Sequence, residues 1–171
     1  MTLEHISKEN IAFIDGQNLY AGVKQAGWSV DYRKLRIYLL EKYKITTAYY
    51  FLGYQIDSNQ ALYTQLKKMG YILVFREHSG DILSKKKGNV DSDIIFLILK
   101  MLIENELNGA VYIISGDGDY KRLIDYLISK LLFGKILFPS RLFVSSLYSN
   151  LGWEYSSYLD DIHIKSKIRY R

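Results

Sequence analysis

Short apolar runs alternate with longer stretches of helical spacing along the 171-residue chain. Residues 10–15 (NIAFID) read as a buried strand that stops at a carboxylate, and 18–26 as a short helix closed by Gly27. In 31–43, Leu35, Tyr38, Leu39 and Tyr43 recur at helical steps behind Asp31, a good N-cap. Residues 46–53 (TTAYYFLG), rich in β-branched and aromatic side chains, predict a second strand. Residues 58–69 predict an amphipathic helix that ends before Gly70, and 71–76 (YILVFR) a third strand. Residues 77–90 read as a loop, 91–106 as a long apolar helix ended by Asn108 and Gly109, and 110–115 (AVYIIS) as a fourth strand. A helix over 117–132, a short strand over 135–138 ended by Pro139, and a last helix over 140–151 follow. The stretch 155–171 mixes a strand or extended segment with a basic end.

Nearly continuous apolar strands separated by helices imply a parallel sheet covered on both faces. The expected architecture is a three-layer α/β/α domain with a central, mainly parallel sheet of about five strands. One domain is expected over 1–171, with its core at about 10–151 and an extension at 152–171. In such sheets a site lies outside the carboxyl ends of the strands.

Composition narrows the classes. With 49% hydrophobic and 24% charged residues, the chain is globular rather than disordered. The absence of Cys removes disulfide scaffolds, thiolate zinc sites and cysteine nucleophiles. No apolar run reaches the roughly 18 residues of a membrane span, and the start MTLEHISKEN is too polar for a secretory signal. A soluble, cytoplasmic protein without a membrane partner is expected; a homo-oligomer stays open. The formal net charge of +5 suits a nucleic-acid partner and suits a mildly basic surface equally well. The 16 tyrosines are suited to stacking on bases or to packing a core with the hydroxyl at its edge.

The acids change the picture most. The first strand runs into Asp15 (FIDGQN), the fourth into Asp117 and Asp119 (IISGDGDY), and Asp91 and Asp93 open the long helix (NVDSDI). Each has an ordinary alternative as a helix cap or turn residue. Their convergence at one sheet edge is what points to chemistry. Two unit charges about 4 Å apart repel by roughly 4 kcal/mol at an effective dielectric near 20, so clustered carboxylates need protonation, a cationic side chain or a divalent ion. All-oxygen ligation suits Mg²⁺ or Mn²⁺, ions that activate water toward phosphate esters. Asp91 shares the apolar stripe of Ile94, Ile95, Ile98, Met101 and Leu102, whereas Asp93 lies further round, as a helix-start charge.

The neighbouring residues admit two readings each. Asn18 suits a metal water or a phosphate, and equally an N-cap; Ser115 suits a carboxylate or phosphate contact, and equally a strand-end turn. Lys85, Lys86 and Lys87 could guide a phosphodiester, or form a solvated loop; Lys121 and Arg122 could touch a nucleic-acid backbone, or simply coat a helix. His5, His78 and His163 lack ligand spacing, and SGDGD is not a P-loop.

The blocks IAFIDGQNLY, KKKGNVDSDI and YIISGDGDYKRLIDYL, in this order, resemble the signature blocks of the NYN domain family, which includes LabA-like proteins within the PIN-like nuclease superfamily. The resemblance implies a PIN-like fold and a Mg²⁺- or Mn²⁺-dependent ribonuclease site, and the leading expectation is an endonuclease acting on single-stranded RNA. By the matching blocks Asp15, Asp91, Asp117 and Asp119 would be the catalytic metal ligands, Asn18 and Ser115 the polar shell, and Lys87 the basic residue before the VD pair. Asp93 is an extra acid. Two other readings remain: an RNA-binding or regulatory module that makes little use of the acids, and a phosphatase of small esters. The haloacid dehalogenase type of phosphatase is disfavoured because position 17 is Gln, which breaks its D-x-D pair.

Overall fold

The computed structural model describes residues 9–76 and 90–170. The lysine run 85–87, with Lys87, and most of the expected 77–90 loop lie outside the described residues, as do His5 and His78.

The described residues form a six-stranded sheet of order β3-β2-β1-β4-β5-β6, in which every pairing is parallel. The strands are β1 (Asn10–Asp15), β2 (Ile45–Leu52), β3 (Tyr71–Phe75), β4 (Val111–Ile114), β5 (Phe133–Phe138) and β6 (Ser156–Tyr158). The helices are α1 (Gly16–Gln25), α2 (Tyr32–Tyr43), α3 (Gln60–Lys68), α4 (Asp91–Ile103), α5 (Lys121–Ser129) and α6 (Ile162–Ile168).

Alternation along the central strands divides the apolar residues between two cores. Ile11 and Phe13 of β1 and Val111 and Ile113 of β4 pack with Ile94 and Ile98 of α4 and Ile124 and Leu127 of α5. Ala12 and Ile14 of β1 and Ile114 of β4 pack with Leu19 and Val23 of α1, Leu35 and Leu39 of α2, Leu66 of α3 and Ile168 of α6. Helices cover both faces, which gives the expected α/β/α layering. Many tyrosines are core residues: Tyr38, Tyr50, Tyr63, Tyr71, Tyr120 and Tyr148 are all buried. No helix among the described residues is long and apolar enough to cross a membrane.

Several expectations need correction. The sheet has six strands rather than about five, because Ser156–Tyr158 pairs with Ile136, Leu137 and Phe138 of β5. The helix expected over 140–151 is replaced by a turn and a single 3-10 turn at Ser146–Tyr148. There the backbone is drawn to another element: the Ser145 N–H donates to the Gly116 carbonyl at 2.8 Å, and the Ser145 hydroxyl takes the Leu147 N–H. The helix expected over 117–132 is split into a 3-10 turn at Gly118–Tyr120 and α5, and Leu131 at φ 58° ends it. The 155–171 stretch holds α6 as well as β6; it returns to the α1–α2 junction, where Asp31 N–H donates to the Ile168 carbonyl at 2.8 Å.

Candidate metal centre

The chain leaves β1 for α1 on one face of the sheet and leaves β4 for the α5 side on the other. The adjacent carboxyl ends of β1 and β4 therefore form a switch point, the place where open α/β sheets leave a crevice. Asp15 ends β1, the Ser115–Tyr120 turn follows β4, and Asp91 opens α4, which packs beneath.

Asp15 is only 4% exposed. It is the N-cap of α1: Oδ1 accepts the Asn18 N–H at 2.9 Å. Asn18 is thus not the cap; its Oδ1 accepts the Gly116 N–H at 2.7 Å and ties α1 to the β4 turn. Asp91, 5% exposed, is the first residue of α4, one position inside the cap residue Val90.

Tyr120, fully buried, reaches both of these acids. Its hydroxyl lies 2.6 Å from Asp91 Oδ1 and 3.3 Å from Asp15 Oδ2. A phenol has one proton, and the shorter contact assigns it to Asp91. Burial pushes the Asp15 carboxyl up to about 6, the Asn18 N–H opposes that rise, and the Asp91 charge adds to it. Burial, followed by the Asp15 and Asp91 charges, pushes the Tyr120 phenol far up, so it remains a donor.

Asp117 and Asp119 are held by a local turn. The Asp117 N–H donates to the buried Ser115 hydroxyl at 3.1 Å, and Asp117 Oδ1 accepts the Asp119 N–H at 3.0 Å. The Tyr148 hydroxyl donates to the Asp117 carbonyl. A Cβ at Gly116 would lie 1.9 Å from the Phe143 carbonyl oxygen, so that position has no room for a side chain. One oxygen each from Asp91, Asp117 and Asp119 lies within 4.8 Å of the others. These three acids are thus close enough together that they could hold a small divalent ion. Asp15 is outside that group of three and is connected to it through Tyr120 and Asp91.

The remaining candidates are not part of the group of three acids. Asp93 is half-buried and outside the group of three. Lys121 Nζ lies 2.6 Å from both Asp125 oxygens, so α5 already engages it, and Arg122 is exposed on the same helix. Sequence reasoning missed Tyr120 and Tyr148. Tyr120 carries a signal, since it directly follows the acids in GDGDY. Tyr148 carries none, because it reaches Asp117 from 31 residues away.

The NYN domain model matches residues 10–139. The chain is similar to the low amplitude and bright protein LabA of Synechococcus elongatus, at 27% identity over 127 residues, covering 69% of this chain and 67% of LabA. Its fold is similar to the crystal structure of a Vibrio parahaemolyticus protein of unknown function, with a TM-score of 0.74 at 18% identity over 99% of this chain and 100% of that one. The acids reached from the sheet edge and the match from the first strand to Pro139 thus coincide, and the chain belongs to the NYN domain family.

Proposed function

We propose that this chain is a Mg²⁺- or Mn²⁺-dependent ribonuclease that hydrolyses phosphodiesters of single-stranded RNA. The observation that carries this reading is the convergence of Asp91, Asp117 and Asp119, with oxygens within 4.8 Å, beside a fourth, buried acid at the end of β1. In this reading Asp91, Asp117 and Asp119 hold the ion. When bound, such an ion supplies water activation and charge neutralisation at the phosphate. Tyr120 fixes the Asp91 carboxylate by donating to Oδ1, and Asp15 joins the set beside Asp91, within reach of the same hydroxyl. Ser115 and Asn18 act through the backbone: each fixes an N–H of the 116–117 turn and so sets where Asp117 stands.

The test is cleavage of a labelled single-stranded RNA in Mn²⁺, Mg²⁺ or chelator, run beside Asp15→Asn and Asp117→Asn. Cleavage is expected only with metal. Each variant should lose about a thousandfold or more in rate, the several kcal/mol that a metal site supplies. An Asp117→Asn protein that cuts as fast as the parent would overturn the reading.

A further inference from the structure

A cavity of about 560 Å³ opens on the other side of the same sheet edge, at the ends of β1 and β2 and the start of α1. Its wall includes Tyr20, Tyr32, Tyr50 and Tyr63, with the amides of Gln17 and Asn59, and among the described residues none of its lining side chains carries a charge. That size lies within the range of small-molecule sites. Tyr32 and Tyr50 meet edge to face at 5.7 Å, so flat and edged aromatic surfaces are both on offer. The cavity is joined to the acids by a single peptide bond. Asp15 follows Phe13 on the α4 face, whereas Gly16, which lines the cavity, follows Ile14 on the α1 face.

We propose that this cavity receives one unstacked base of a single-stranded RNA whose phosphate lies at the acids. The inference rests on the ribonuclease reading for the identity of the chain that enters. Bases of single strands are bound by stacking on aromatic rings and by hydrogen bonds to their edges, and this wall supplies rings, amides and hydroxyls. Among the described residues the lining itself holds no cation, the Lys24 ammonium lying outside it over the Tyr20 ring at 5.4 Å, and a purely aliphatic group would leave the Gln17 and Asn59 amides without partners. Tyr20 is 55% exposed at the rim, where a ring could close over an entering base, and it serves as the probe.

The experiment measures binding of a short single-stranded oligoribonucleotide to the full chain, in Ca²⁺ and in chelator, and in parallel its cleavage in Mn²⁺. Parent, Tyr20→Ala, Tyr20→Phe and Leu62→Trp are compared, the last placing a bulky ring at the cavity wall. A second set of oligonucleotides carries one abasic position, moved along the strand. Tyr20→Ala should weaken binding by about tenfold and Tyr20→Phe by no more than about twofold, since stacking needs the ring and not the hydroxyl. Leu62→Trp should weaken binding as well. One abasic position should weaken the parent but add little to Tyr20→Ala. Tyr20→Ala and Leu62→Trp proteins that bind as the parent does would overturn the proposal, as would a parent that binds RNA in neither condition. Cleavage by the parent that neither variant diminishes keeps the nuclease and removes the base site. Binding that depends on the cavity, without cleavage in Mn²⁺, keeps the base site and removes the nuclease.

Discussion

The acids of this sheet edge fall into two regions built in different ways. Asp15 and Asp91 are buried by sheet and helix packing, share the Tyr120 hydroxyl, and cannot withdraw into solvent. Asp117 and Asp119 sit on a turn of three residues, half-buried and exposed, and are positioned by local hydrogen bonds. The first region stores repulsion in the folded state; the second supplies ligands that can adjust. Their combination teaches that the site's electrostatic cost is concentrated where the fold is least able to relax.

The largest effect that would test this contrast is on stability. In chelator, Asp15 is raised in the folded protein to about 6 from the ordinary 3.8. Its proton favours the fold, so that contribution is present below about pH 4 and is lost as pH rises through about 6. The loss amounts to something on the order of 3 kcal/mol. Asp15→Asn, which also keeps an acceptor for the Asn18 N–H, should therefore raise the metal-free melting temperature at pH 7 and flatten its fall between pH 4 and 7. Asp117→Asn should move it little. Equal shifts for the two variants in thermal melts would erase the distinction between the regions.

A smaller effect is expected at Tyr120, which joins the two. Tyr120→Phe removes the donor to Asp91 and should weaken Mn²⁺ affinity by about 10- to 100-fold, the usual range for a residue that orients a ligand. The readout is a Mn²⁺ titration followed by thermal shift. Unchanged affinity would mean that the buried pair stands apart from the ion. The smallest effect is expected at Lys121, which pairs with Asp125 on the exposed side of α5. Lys121→Ala should change stability by less than about 1 kcal/mol and leave the cleavage rate within about twofold. A larger loss of rate with unchanged stability would show that Lys121 leaves Asp125 to serve the RNA.

The strands β1 to β4 were legible because each is a run of apolar residues bounded by polar ones, and buried parallel strands need that composition. Asp15, Asp91, Asp117 and Asp119 were legible because strand ends and helix starts are where such sheets gather polar groups. What escaped depends on distant partners. Ser156–Tyr158 is too short and polar to read as a strand; pairing with β5 makes it one. The 140–151 stretch reads as a helix until its Ser145 N–H is seen to serve Gly116. Tyr120 and the tyrosine-lined cavity were hidden by abundance: with 16 tyrosines, periodicity cannot tell the ring that packs a core from the ring that reaches two acids.

The close passage of Phe143 over Gly116 has a further consequence. The backbone from Pro139 to Tyr148 carries no carboxylate, yet it rests on the turn before Asp117 at one point and grips the Asp117 carbonyl at another. It works as a strap of fixed length. Adding or deleting one residue within it would change the spacing of the acids without altering any of them, so this acid-free crossing sets the gauge of the hollow it spans.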